Sequence, residues 1–226
     1  MTRRLSRRQP RAVQWLQRLL EPFPRVYCRV QLWREPARSV VDAETALVVE
    51  GYQGSANSFL QLALEACNPG IRIASHMHSP AHVQRALQLD VPVVVVVREP
   101  VASITSMLRR FPVLDVAAAL RRYAVFHERL ARHLEDVLIV RFEDLTSDGF
   151  GDVVRRINDR FGTTFASGDV SPIAEAFERQ RAAATDDGDT RTRITTELAA
   201  ARHARRLARA RRARDALLAA ALTKRP

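Results

Sequence analysis

The chain has 226 residues, 46% hydrophobic and 27% charged, enough apolar mass for one folded body with an appendage and too much for a disordered or collagen-like chain. Its net charge of +11 is unevenly spread: residues 1–38 hold ten Arg and two acids, residues 191–226 ten Arg, one Lys and two acids, and the segment between fifteen Arg and twenty-one acids. Lys224 is the only lysine, which excludes lysine chemistry inside the body; Cys28 and Cys67 make neither a disulfide framework nor a CxxC metal site, and no apolar run reaches the roughly 18 residues of a membrane span.

Residues 1–9 are too polar and basic to bury anything and read as an arm. Pro10–Glu21 fits a short amphipathic helix with Val13, Leu16, Leu19 and Leu20 on one face. Residues 22–44 carry three prolines and scattered aromatics, and read as irregular with a short strand at Val26–Gln31. The body then alternates. Ala46–Glu50 is an apolar strand, Gly51 and Gly54 mark a turn, and a helix runs from Asn57 to Ala66. Ile71–Ser75 is a second strand and Pro80–Leu89 a helix. Pro92–Val97 is the clearest strand: its β-branched residues show no polar alternation, so both faces are covered. Helices follow at Pro100–Arg110 and Val113–Leu134, then a strand at Val137–Phe142 and a helix at Gly149–Phe161.

Short apolar strands alternating with helices predict a three-layer α/β/α fold around a central parallel sheet. Residues 182–193 are small and polar and read as a mobile loop, and Ile194–Leu222 as a long Ala/Arg-rich helix whose last turns, at Leu217, Leu218 and Leu222, suit docking on the body. The expected divisions are a basic arm and helix at 1–38, the α/β domain at 39–181, the loop at 182–193 and the basic helix at 194–226.

In parallel sheets ligands bind at the carboxyl ends of strands. The first such end is Gly51-Tyr52-Gln53-Gly54-Ser55-Ala56-Asn57-Ser58-Phe59-Leu60, a small-residue loop that offers backbone N–H groups to an anion. It is not a Walker A loop, because GxxxxGK[ST] is absent, and taken alone it reads as an ordinary turn with an Asn or Ser helix cap. The second end is Ser75-His76-Met77-His78-Ser79-Pro80. A histidine there suits a general base, while an HxH metal site lacks a third ligand nearby, so no metal is expected. The third is Val97-Arg98-Glu99-Pro100 with Ser103 and Ser106 beyond. An arginine leaving a buried strand needs an anion, either a phosphate or a carboxylate of Glu99, Glu143 or Asp144.

In their order and context these loops resemble the sulfotransferase family that uses 3′-phosphoadenosine 5′-phosphosulfate (PAPS). The resemblance covers Ala46–Thr164, about half the chain. Val93–Ser106 resembles the family's 3′-phosphate segment, a hydrophobic strand followed by R-x-P-x(5)-S, with Arg98 and Ser106 as its arginine and serine. Ser75-His76 resembles the Thr-His whose histidine is the catalytic base. Phe142-Glu143-Asp144-Leu145 resembles the Tyr-Glu-Asp-Leu segment. Residues 51–60 resemble the 5′-phosphosulfate loop, with Ser55, Asn57, Ser58 and Phe59 at its polar and aromatic positions. The departures are specific. The loop's cation falls on Gly54 and its glycine on Ala56; the lysine before Thr-His is Ala74; the tyrosine is Phe142; the C-terminal Arg-Lys-Gly-x-x-Gly-Asp-Trp motif is absent.

The resemblance implies sulfuryl transfer from PAPS, as cosubstrate, to a hydroxyl or amine of a small-molecule or glycan acceptor. His76 takes the acceptor proton. Gly54, Ser55, Ala56, Asn57 and Ser58 hold the 5′-phosphosulfate, Arg98 and Ser106 the 3′-phosphate, and Phe59 and Phe142 flank the adenine. Arg191 or Arg193 is the expected stand-in for the loop cation, and the acceptor pocket falls to residues 113–134 and 166–193. The alternative is a protein of this fold that binds a nucleotide or an anionic partner without catalysis. The Arg-rich ends suit either plain solvation or contact with an anionic surface. The basic N-terminus lacks a signal peptide's apolar stretch, so a cytoplasmic location is expected.

Overall fold

A computed structural model of the chain describes residues 19–34, 40–111, 115–145, 148–183 and 188–222. The arm expected at 1–9 lies outside them. Of the helix expected at Pro10–Glu21, only Leu19 and Leu20, both helical, and Glu21 fall inside.

Four parallel strands build the sheet: β1 (Leu47–Gly51), β2 (Ile73–Ser75), β3 (Val93–Val97) and β4 (Leu138–Arg141), in the spatial order β2-β1-β3-β4. All five residues of β1 and of β3 are buried, as their unbroken apolar runs require. Helices cover both faces, so the expected three-layer α/β/α architecture stands. Alternate strand residues part cleanly. Leu47, Val49, Ile73, Val94, Val96 and Val140 pack with α2 (Asn57–Cys67), α6 (Phe150–Phe161) and α7 (Ser171–Ala183). Val48, Ala74, Val93, Val95, Val97 and Ile139 pack with α3 (Pro80–Leu87), α4 (Pro100–Arg110), α5 (Val116–Leu130), α8 (Gly188–Ala199) and α9 (Ala204–Leu222). A strand's two-residue period sends neighbouring side chains to opposite faces, which makes two cores from one sheet.

Three sequence expectations are corrected. Val26–Gln31 is not a strand but the middle of a helix, α1 (Pro24–Arg34): Pro24 opens it, and Tyr27, Cys28 and Gln31 turn inward at helical spacing. Of the loop expected at 182–193, residues 182–183 close α7, 184–187 lie outside the described residues and 188–193 are helical, so Arg191 and Arg193 sit exposed on α8. The long helix expected at Ile194–Leu222 is two helices, parted by a 3₁₀ turn at Ala201–His203. No proline or glycine marks that break. Glu197 takes bonds from both Arg202 and His203 there (His203 Nε2 to Oε1, 2.8 Å), letting Leu198 and Leu207 enter one core from different axes. The C-terminal helix docks along its length, its last turns included, where Leu217 is buried and Leu218 packs on the core. Leu207, Ala210, Ala213 and Leu217 are buried in the cluster that holds Leu120, Tyr123, Ala124 and Leu130 of α5.

Candidate functional site

The chain leaves β1 toward β2 on one side and returns to β3 on the other. The carboxyl ends of β1 and β3 are therefore a topological switch point, where open parallel sheets leave a crevice. The loop after β1 and Arg98 after β3 meet there.

The loop is shaped by close approach. A Cβ on Gly51 would lie 2.5 Å from the Val96 carbonyl oxygen, so only glycine lets β1 end so near β3. Gly54 has φ +86°, and a Cβ there would lie 2.5 Å from the Ser103 carbonyl oxygen and 3.0 Å from Ser106 Cβ. The loop is thus pressed onto α4, and no side chain fits at residue 54. Ser103 Oγ donates to the Gln53 carbonyl (3.0 Å), and the buried Ser55 hydroxyl lies 3.2 Å from Ser103 Oγ. Ala56, just before α2, holds a left-handed φ of 72° that costs an alanine about 1 kcal/mol. No side chain caps α2, so its leading backbone N–H groups remain for an anion.

Arg98 reaches across the crevice. Its Nη1 donates to the Gly54 carbonyl (2.7 Å), its guanidinium lies 3.8 Å from the centre of the Phe142 ring, and its own carbonyl accepts from the Tyr123 hydroxyl. Each carboxylate weighed as its partner also meets another group. Glu143 faces Arg141 at 3.6 Å, Asp144 faces Arg156 at 3.2 Å, and Glu99 caps α4 through Ala102 N–H (2.8 Å) with Arg211 at 3.9 Å.

The loop after β2 is built on one buried carboxylate. Glu50, fully buried, accepts from Met77 N–H (3.1 Å), His78 N–H (2.9 Å) and His82 Nδ1–H (2.7 Å). Val41 N–H donates to His82 Nε2 (3.0 Å), which fixes the His82 tautomer with its proton toward Glu50. Burial alone would raise the Glu50 carboxyl. The His82 hydrogen bond and the neighbouring histidines outweigh it and hold the group below the usual carboxylate range. His76 and His78 then take left-handed φ values of 66° and 50° instead of continuing the strand, with ring centres 5.9 Å apart. His76 is exposed. His78 is half-buried, and its Nδ1 lies 2.8 Å from the Gly51 carbonyl, which also accepts from Asn57 Nδ2 (3.2 Å). A carbonyl partner makes Nδ1 the donor, so a neutral His78 carries its basic lone pair on Nε2.

The sequence-derived residues therefore divide. Gly54, Ala56, Ser58, Arg98, Ser106 and Phe142 are half-buried around the switch point, and Ser58 lies in the first turn of α2. The Ser55 hydroxyl and the Asn57 amide nitrogen are spent on loop architecture, while the buried Asn57 Oδ1 has no hydrogen-bond partner among the described residues. Phe59 is buried in the core, edge-on to Phe177 at 6.1 Å, and one face of Phe142 is taken by Arg98. Sequence reasoning missed Glu50 and His82, and weighed His78 only as a partner of His76. The available signal was an acid closing an otherwise apolar strand. No family model, curated protein or solved structure matches this chain.

Proposed function

We propose that the chain binds PAPS at the β1/β3 switch point and transfers its sulfuryl group to a hydroxyl or amine. The observation that carries this reading is the meeting of the uncapped, glycine-shaped loop with Arg98 and Ser106 at that point. The α2 amides receive the 5′-phosphosulfate. The acceptor oxygen or nitrogen forms a bond to sulfur while the bond from sulfur to the bridging phosphate oxygen breaks. The acceptor proton passes to His76, and 3′-phosphoadenosine 5′-phosphate (PAP) leaves. His78 stands within the same loop as the second candidate base.

Charge grows on the bridging oxygen as sulfuryl leaves, and preorganised cations meet such charge in comparable sites. Residue 54 cannot supply one, because no side chain fits there. Arg98, held at the Gly54 carbonyl, supplies the cation in place of the expected Arg191 or Arg193, and in this reading gives up the 3′-phosphate role that the resemblance implies, leaving that group to Ser106. PAPS turnover against a panel of hydroxyl and amine acceptors tests this. Activity should be lost in Arg98→Ala and in His76→Ala, and kept in Arg191→Ala/Arg193→Ala. Turnover that survives Arg98→Ala sinks the assignment.

The steric closure at Gly54 favours a second reading, a nucleotide-binding protein without turnover. PAP binding measured by calorimetry, with no PAPS consumption on any acceptor, would establish it. Absence of PAP binding ends both readings.

A further inference from the structure

Exposed apolar side chains are concentrated in one stretch of chain. Of the seven large hydrophobic residues exposed among the described residues, five lie between Leu19 and Trp33. Three of the five belong to α1 and Phe23 immediately precedes it, and the two sides of that helix differ. Tyr27, Cys28 and Gln31 are buried against α3 and the loop after β2, together with Met77 and Ala81. On the outer side, exposed Phe23, Val26 and Trp33 and half-buried Val30 follow one another at spacings of three, four and three, which puts them in one stripe along the helix. Phe23 is 61% exposed and Trp33 83%. Arg25, Arg29 and Leu32 run beside that stripe and are also exposed. The helix contains no acid, and the nearest one before it, Glu21, is bonded to Arg129. A contiguous apolar stripe of this kind marks an interaction surface, whereas single exposed residues do not.

We propose that this outer face of α1 docks in the interface of an anionic lipid bilayer. The occupant follows from charge and shape together. Residues 1–38 carry ten arginines and two acids, so the surround is strongly cationic and attracts anionic headgroups. An aromatic and aliphatic stripe flanked by arginine is the arrangement that lies in a headgroup layer, with the rings at the acyl boundary and the guanidinium groups in water. A second copy of this chain would bring two cationic faces together and be repelled. Single-stranded nucleic acid would engage the rings by stacking but leave Val26, Val30 and Leu32 without partners. Docking would bring the bilayer against the helix that packs on Met77, the residue between His76 and His78. The proposal stands whether or not the site transfers sulfuryl groups.

The test uses the full chain and its two tryptophans. Trp15→Phe leaves Trp33 as the only reporter. Vesicles of equal phosphatidylglycerol and phosphatidylcholine should shift Trp33 emission to the blue and sediment the protein at least tenfold more tightly than pure phosphatidylcholine. Phe23→Ser/Val26→Ser should weaken sedimentation tenfold or more while leaving the melting temperature within 2–3 °C, because both side chains are exposed. An unshifted Trp33 overturns the proposal. So does undiminished sedimentation of the double variant, which would assign the attraction to charge alone. A concentration-dependent dimer abolished by Trp33→Ser, or single-stranded DNA that displaces the vesicles and reproduces the shift, overturns it in favour of that other occupant.

Discussion

The loops after β1 and β2 stand side by side at the carboxyl end of the sheet and are held by different physics. The first is held by contact. Gly51 abuts β3, Gly54 abuts α4, and short neutral hydrogen bonds through Ser55 and Ser103 finish it. The second is held by charge, through one buried carboxylate that gathers two backbone N–H groups and the His82 ring. A contact-held loop is set chiefly by sterics. A charge-held loop depends on its anchor staying ionised, and losing that anchor strands every donor it served.

The largest effect should come from removing the charge. Glu50→Ala takes the carboxylate acceptor from the His82 ring proton and from the Gly51, Met77 and His78 backbone N–H groups, and should cost about 3–5 kcal/mol in urea denaturation. The 76–78 loop should then show faster amide exchange, while residues 52–57 keep their protection. Equal loosening of both loops would show that they are one unit.

Acid should reveal the same asymmetry once a second group is separated out. Burial, only partly offset by a hydrogen bond to the Tyr123 carbonyl, pushes His127 down to about 4. It is neutral in the fold, so the unfolded chain takes up its proton first as pH falls below about 6.5. The stability it contributes is complete above that pH and declines, by about 3 kcal/mol in all, as pH falls to about 4. Glu50 acts lower. Its contribution is present above the ordinary carboxylate value and is lost as pH falls through its depressed one. His127→Leu should flatten the stability curve between pH 6.5 and 4 and leave the steeper acid limb below it; a curve unchanged by His127→Leu would remove this group from the account.

The contact-held loop should respond to volume. Gly54→Ala places a methyl 2.5 Å from a backbone carbonyl at a positive φ, and should cost about 2 kcal/mol. It should also abolish PAP binding, read by calorimetry. Smallest and opposite in sign, Ala56→Gly should relieve the left-handed strain and raise the urea midpoint by the equivalent of about 1 kcal/mol. A lower midpoint would mean that the alanine methyl packs productively.

The sheet and the first loop were readable because their determinants are local. Val93–Val97 announces a doubly covered strand by itself, and the order of Gly54, Arg98 and Ser106 places them at neighbouring strand ends. The anchor of the second loop was not, because Glu50 is one acid whose partners lie 27, 28 and 32 residues away. The two basic ends were hard to read for a related reason. Nothing in Pro24–Arg34 distinguishes a half-buried helix from a strand until Tyr27, Cys28 and Gln31 are seen to share one side. In α9 the docking face is made of Ala210 and Ala213 as much as of leucine. Small residues carry little hydrophobic signal yet permit close approach, so an arginine-rich helix looks solvated while half of it is core.

That docking has a consequence for how the protein is made. One face of the sheet is covered by α5, and α5 in turn by α9, to which Arg209 adds a two-pronged pair with Glu128 at 2.8 and 2.7 Å. A ribosome making about 5–20 residues per second needs roughly 4–17 s between releasing α5 and releasing residue 217. Over that interval the nascent α5 carries an apolar flank with no cover, so this helix is where a chaperone would find its grip on the unfinished chain.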